Sequence, residues 1–293
     1  MTTSGVARLR VGFAQTRPAF GDVTGNLAGA AQLVERAPDF DVLVLPELFA
    51  TGYLFLDRAE AERVAEGTDG PTAALLRELA ARRRAWIVGG FAERADGRLF
   101  NSAALAGPDG ALLVYRKVHL FDRETEVFDP GDRPFRAWTL EHGGRRVRVG
   151  VMICFDWLFP EAARCLAVDG AELLLHPSNL VLPFCQDAMR TRCLENRVFA
   201  ITANRCGDDV RASDDVRRAE KLHFTGASQI TGPRGQVIAR AEEDGECVSV
   251  VEIDLAAARD KQVTPRNDLL GSRRPAAYGR LVAPSSGEPS AGC

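Results

Sequence analysis

Three residues of a kind that does covalent chemistry stand at the ends of short apolar runs: Glu47 after Val42 to Leu45, Lys117 after Leu112 to Tyr115, and Cys154 after Val149 to Ile153. A free thiol titrates at about 8.5, so attack at neutral pH needs a base or a local positive potential to make thiolate. A carboxylate and an ammonium answer that need. Taken singly, each residue has an ordinary reading as a surface carboxylate, a solvated cation or a core thiol. Strand ends are where sites assemble in parallel-rich α/β folds, so three such ends together carry more weight than any one.

The elements that must position these residues are legible from periodicity. Leu9 to Gln15 reads as a strand, and Asp22 to Glu35 as a helix with Thr24 as its cap and apolar positions at Leu27, Ala30, Ala31 and Val34. Asp41 to Leu45, a Val/Leu run closed by Pro46, suits a strand buried on both faces. Helical spacing returns at Thr72 to Arg84, followed by a strand at Trp86 to Phe91 and a hairpin of Asn101 to Ala106 with Ala111 to Tyr115 around Gly107-Pro108-Asp109-Gly110. Val147 to Ile153 is β-branched, and Pro160 fits the first turn of a helix that stops at Gly170. Cys154 therefore falls on a strand-to-helix turn. Further on come a strand at Glu172 to His176, a helix near Asp187 to Val198, a strand at Phe199 to Asn204 and three strands between Thr225 and Ile253.

No repeat or composition shift marks a linker, which predicts one layered α/β domain over residues 5–283. The polar stretch Gly207 to Ala219 is expected to be an exposed loop, and Pro284 to Cys293 a disordered tail. A net charge of −3 offers no attraction to nucleic acid or to an anionic membrane. No apolar run approaches the roughly 20 residues of a membrane span, and Met1 to Arg10 lacks the apolar centre of a secretory signal. Seven cysteines, an odd number without a CxxC pair, point to reduced thiols and to the cytoplasm. Four histidines, none at metal-ligand spacing, leave no expected metal site, and no cofactor is expected.

The contexts of the three residues are more specific than their positions. They read Pro46-Glu47-Leu48-Phe49-Ala50-Thr51-Gly52-Tyr53, Tyr115-Arg116-Lys117-Val118-His119-Leu120-Phe121 and Gly150-Val151-Met152-Ile153-Cys154-Phe155-Asp156-Trp157. Together, and in this order, they resemble the Glu, Lys and Cys motifs of the nitrilase superfamily of carbon-nitrogen hydrolases. The likeness runs over about Leu9 to Leu270, and Arg192 to Phe199 with Asn204-Arg205 is similar to the helix and strand that follow the nucleophile in these enzymes.

The resemblance implies a four-layer αββα domain, assembled into a homodimer or a higher homo-oligomer, that brings Glu47, Lys117 and Cys154 together. In the chemistry expected of such a site, Cys154 attacks an amide carbonyl while Lys117 and the backbone N–H of Phe155 stabilise the oxyanion. Glu47 serves as acid and then as base, and the helix near Pro160 adds its N-terminal potential. Glu124 corresponds to a fourth, supporting carboxylate found at that spacing in similar proteins, with Glu126 close enough that both stay open. Tyr53, Phe121, Phe128, Phe155 and Trp157 flank the motifs and are candidates to shape a substrate pocket, with core packing the ordinary alternative. His119 is expected to pack or hydrogen-bond beside Lys117.

Dedicated nitrilases generally carry Trp-Glu after the nucleophile, whereas here Phe155-Asp156 follows Cys154. The run from Cys154 to Arg164 more resembles amidases and N-carbamoyl amine hydrolases, while the short stretch from Lys117 and its His-Leu-Phe sequence resemble small aliphatic nitrilases. Expected partners are therefore a small linear amide first, a carbamoyl amine second and a nitrile third. A catalytically silent scaffold of the same fold is the competing class, against which the intact trio weighs.

Overall fold

The computed structural model describes residues 8–211 and 220–283. The chain divides into two compact units between Asp260 and Lys261. The larger unit holds strands β1 (Arg8–Gln15), β2 (Val42–Val44), β3 (Trp86–Ala95), β4 (Arg98–Ala106), β5 (Leu112–Arg116), β6 (Ala137–His142), β7 (Arg145–Val151), β8 (Leu173–Ser178), β9 (Phe199–Asn204), β10 (Cys206–Arg211), β11 (Glu220–Thr225), β12 (Gln229–Thr231), β13 (Val237–Arg240) and β14 (Cys247–Asp254). Its helices are α1 (Val23–Arg36), α2 (Arg58–Val64), α3 (Pro71–Arg83), α4 (Glu124–Val127), α5 (Pro160–Val168), α6 (Cys185–Asn196) and α7 (Ala256–Arg259). In the smaller unit Gln262–Thr264 pairs antiparallel with Asn267–Asp268.

Two six-stranded sheets run β14-β1-β2-β3-β4-β5 and β13-β12-β9-β8-β7-β6. Each has three parallel strands at its heart, β1-β2-β3 and β7-β8-β9, with antiparallel neighbours outside. Strand alternation then builds the layers. In β2, Val42 and Val44 face a core shared with Val149, Val151, Leu173 and Leu175 of the second sheet. Leu43 and Leu45 face the other way, onto Ala30 and Val34 of α1 and Leu76 and Leu79 of α3. Helices α5 and α6 cover the second sheet with Ala163, Leu166, Met189 and Cys193. Helix, sheet, sheet and helix thus give the expected αββα order, and burial on both faces explains why β2 is an unbroken apolar run.

Two local expectations are corrected. Asp22, not Thr24, caps α1, its carboxylate accepting from the N–H of Gly25 at 3.0 Å. Both residue types can cap, and the choice lies in where the chain enters the helix. The span expected as a loop from Gly207 begins instead as strand β10, paired with β11. Its Asp208-Asp209 pair hides the strand from periodicity, yet Asp209 is buried, paired with Arg205 at 2.8 Å and accepting from the N–H groups of Tyr53 and Leu54 at 2.9 and 3.1 Å. Residues 212–219, and the tail expected from Pro284 to Cys293, lie outside the described residues.

Candidate active site

Glu47 follows β2 beyond Pro46, where Leu48 turns the chain with φ +45°. The neighbouring β3 makes room with Gly90, since a Cβ there would stand 2.5 Å from the Glu47 Cα and 2.6 Å from the Leu48 nitrogen. The Glu47 carboxylate is fully buried. Its Oε1 accepts from Asn101 Nδ2 at 2.7 Å and from Lys117 Nζ at 2.7 Å, while Oε2 has no partner. Burial lifts its pKa to about 7, opposed by the charge of Lys117 and assisted by that of Glu124.

Lys117 lies just past β5, which runs in the same direction as β2 because two antiparallel pairings separate it from β3. Its backbone N–H donates to Asn101 O at 2.8 Å, and its carbonyl accepts from Gly131 at 2.7 Å. Nζ is out of solvent, 2.7 Å from Glu47 and 2.8 Å from Glu124. Burial alone would discharge the amine, but Glu124 and then Glu47 outweigh it, so the ammonium is held above its ordinary range. The preceding Arg116 points away, to Glu93 at 2.7 Å and Asp132 at 3.0 Å. Glu124 opens α4, is buried, and accepts from the Phe121 N–H at 3.1 Å, whereas Glu126 is exposed. Of the two candidates left open by spacing, Glu124 therefore meets Lys117, alongside Glu47, and Glu126 does not.

Cys154 leaves β7 with φ +40° and opens a 3₁₀ turn, Cys154–Leu158, directly before α5. Two buried groups hold that unusual backbone. Asp156 Oδ2 accepts from the Ile153 N–H at 2.9 Å and the Tyr115 hydroxyl at 2.7 Å. Asp156 Oδ1 accepts from the His119 N–H at 3.2 Å and meets the His119 ring at 2.8 Å. His119 also stacks on Phe159, 3.6 Å between centroids. On the other side, His176 Nε2 lies 2.9 Å from the Cys154 carbonyl and Nδ1 3.0 Å from Thr202 Oγ1. A carbonyl only accepts, so Nε2 carries the proton and Nδ1 receives the threonine hydroxyl. Burial pushes the Cys154 thiol up, Glu47 adds to this, and Lys117 opposes it. At rest Cys154 is therefore held as a thiol, with the charges of Glu47 and Lys117 acting on it in opposite senses.

Phe121, Phe155 and Trp157 line a narrow cleft at Cys154, joined by Asn179 and Leu180. Trp157 is also a core residue. Tyr53 lies in an adjoining cavity that Phe121 and Glu124 share. Six of the eight residues expected at the site line one or other of these two hollows, which share Phe121, while Glu47 and Lys117 line neither and lie behind Glu124. Periodicity had not singled out Asn101 or the bracing roles of Asp156 and His176. Their only trace was a polar residue inside an otherwise apolar strand or turn. Among the described residues, no cluster of His, Cys, Asp or Glu is arranged to hold a metal ion.

Comparison with known proteins follows the same lines. A family model described as carbon-nitrogen hydrolase matches residues 10–262. The chain is 40% identical over 275 residues to a nitrilase from Pyrococcus abyssi, covering 93% of this chain and 100% of that one. It is 38% identical over 249 residues to an (R)-stereoselective amidase from a Pseudomonas species, covering 82% and 84%. Among solved structures, an amidase variant from Nesterenkonia, with the acetamide moiety of fluoroacetamide covalently added at its active-site cysteine, superposes with a TM-score of 0.75 at 25% identity, covering 97% and 99%.

Proposed function

Since the chain belongs to the carbon-nitrogen hydrolase family, we propose that it hydrolyses a small linear amide to a carboxylic acid and ammonia through a Cys154 thioester. One observation carries this reading: a fully buried Lys117 bridging Glu47 and Glu124, with the second oxygen of Glu47 left unpartnered. A buried acceptor without a protein partner is costly unless it has work to do.

The cycle begins as Glu47 Oε2 takes the thiol proton and Sγ bonds to the amide carbon. Lys117 and the Phe155 N–H face the oxygen as it becomes negative, each such donor contributing typically about 3 kcal/mol. Glu47 then gives its proton to the nitrogen, the C–N bond breaks and ammonia leaves. Water enters, Glu47 takes one of its protons, and hydroxide adds to the thioester carbon. The C–S bond breaks, the proton returns to sulfur and the acid departs. A pKa of about 7 suits Glu47 to both directions of transfer. Glu124 keeps Lys117 charged and in place.

A second reading, nitrile hydrolysis, is favoured by the 40% relative named a nitrilase; cleavage of carbamoyl amines follows. The protein is taken to be cytoplasmic, as its six described cysteines are free thiols, and no described helix is long and apolar enough to cross a membrane. The test is ammonia release from amides, carbamoyl amines and nitriles by the protein and by Cys154→Ala, with circular dichroism as the folding control. Amide turnover lost in the folded variant is expected. Turnover that survives the substitution removes Cys154 as nucleophile, and release from nitriles alone transfers the assignment to the second reading.

A further inference from the structure

The cavity next to the cleft has a volume of about 240 Å³ and is bounded by three separate segments. Tyr53, Leu54 and Phe55 come from the chain after Glu47, Phe121 and Phe128 from the chain around α4, and Leu222 from β11. Glu124, buried and hydrogen-bonded by Lys117 at 2.8 Å, is part of its lining. At roughly 30 Å³ per water, the space equals about eight water molecules. That exceeds what an acetyl group fills.

The charges around this cavity are nearly all committed. Glu124 is bonded by Lys117 and by the Phe121 N–H. Tyr53 stays a neutral phenol, because burial, then Glu124 and Glu47, hold its proton firmly. At the mouth, Arg123 grips Glu220 through both nitrogens at 2.8 and 3.0 Å, which also ties α4 to β11. Lys221 pairs with Asp208 at 3.0 Å. Asp122 is exposed at the rim. Among the described residues, a substrate carboxylate would thus meet no uncommitted cation at this cavity, and an ammonium would find the exposed carboxylate of Asp122 at its rim. Desolvating either charge there has no compensating partner.

Resting on the amide-hydrolase reading above, we infer that this cavity is the acyl subsite, and that it selects amides of uncharged, apolar acids with chains longer than acetyl over amides bearing a charged tail. Each methylene moved from water into the cavity should tighten binding about fourfold, from about 0.8 kcal/mol per buried CH₂.

Calorimetric titration of Cys154→Ala measures this without turnover, using acetamide, butanamide, hexanamide, succinamic acid and 4-aminobutanamide. Affinity should rise about fourfold per methylene until the cavity is filled, with both charged-tail amides at least tenfold weaker than hexanamide. Leu222→Asn, on the half-buried wall strand, should reduce the ratio of hexanamide to acetamide affinity. Equal affinity across chain length, or a charged-tail amide binding as well as hexanamide, overturns the inference. Ammonia release by the unaltered protein from the same compounds separates the two readings. Length-dependent binding without ammonia removes the hydrolase assignment and leaves the apolar cavity standing, whereas ammonia released with no chain-length dependence removes the subsite alone.

Discussion

His176 offers a test of how the nucleophile's backbone is held. The imidazole is fully buried between Thr202 and the Cys154 carbonyl, and burial lowers its pKa from 6.5 to about 4. The folded protein therefore keeps His176 neutral over a pH range in which the unfolded chain binds a proton. A depressed histidine makes stability fall as pH drops from about 6.5 toward 4, since protons then favour the unfolded state. At about 1.4 kcal/mol per tenfold difference in proton affinity, the full effect is roughly 3 kcal/mol. Glu47 acts in the opposite sense. Its folded pKa is raised to about 7, so it takes up a proton on folding between roughly pH 4.5 and 7, and its contribution improves as pH falls. The two partly offset, and only variants can separate them. His176→Gln keeps a donor for the Cys154 carbonyl but cannot titrate, whereas Glu47→Gln removes the opposing group. Urea unfolding from about pH 7 down to about pH 4.5 should show His176→Gln losing roughly 2–3 kcal/mol less than the parent, and Glu47→Gln losing more. If His176→Gln and the parent change in parallel over this range, His176 is not the buried neutral group that its surroundings imply.

Three further outcomes are expected. With an activated ester, Glu47→Gln should acylate slowly and accumulate the thioester, while Lys117→Met should form little adduct; intact-protein mass spectrometry after rapid mixing reads both, and equal accumulation contradicts this division of roles. The kcat/KM of the parent should fall below about pH 7, as Glu47 gains a proton before it can accept one from Cys154. Asp156→Asn turns an acceptor into a donor facing groups that already donate, so stability should drop by roughly 2–4 kcal/mol and iodoacetamide labelling of Cys154 should change; unchanged stability and labelling refute its bracing role. We also propose at least a homodimer, detectable by sedimentation at micromolar concentration. Of the apolar residues from Cys193 to Phe199, a stretch proposed to contribute to the contact, Leu194 is exposed, whereas Cys193, Val198 and Phe199 face the chain's own core.

Much of this protein could be read without coordinates. Strands buried on both faces announce themselves as continuous Val/Leu runs, because a central parallel strand has no solvent side, and β2 is legible in that way, while β7 is legible from its β-branched residues. Glu47, Lys117 and Cys154 stood out for the same reason, as reactive groups placed where such runs stop. What periodicity could not reach was anything that depends on two distant segments meeting. Glu124 and Glu126 are equivalent in spacing, and only the turn of α4 puts one against Lys117 and the other in water. Asp209 looked like a loop residue because its stabilisation comes from Arg205 and the Tyr53 backbone, neither of which leaves a mark on local pattern. Asn101, Asp156 and His176 are polar residues that local rules would place near the surface, and tertiary structure buries them as braces on Glu47 and Cys154. Apolar burial is a sum over a single residue's surroundings and so shows in sequence, whereas a hydrogen bond in a dry site needs both partners at fixed distance and direction, which only the folded chain decides.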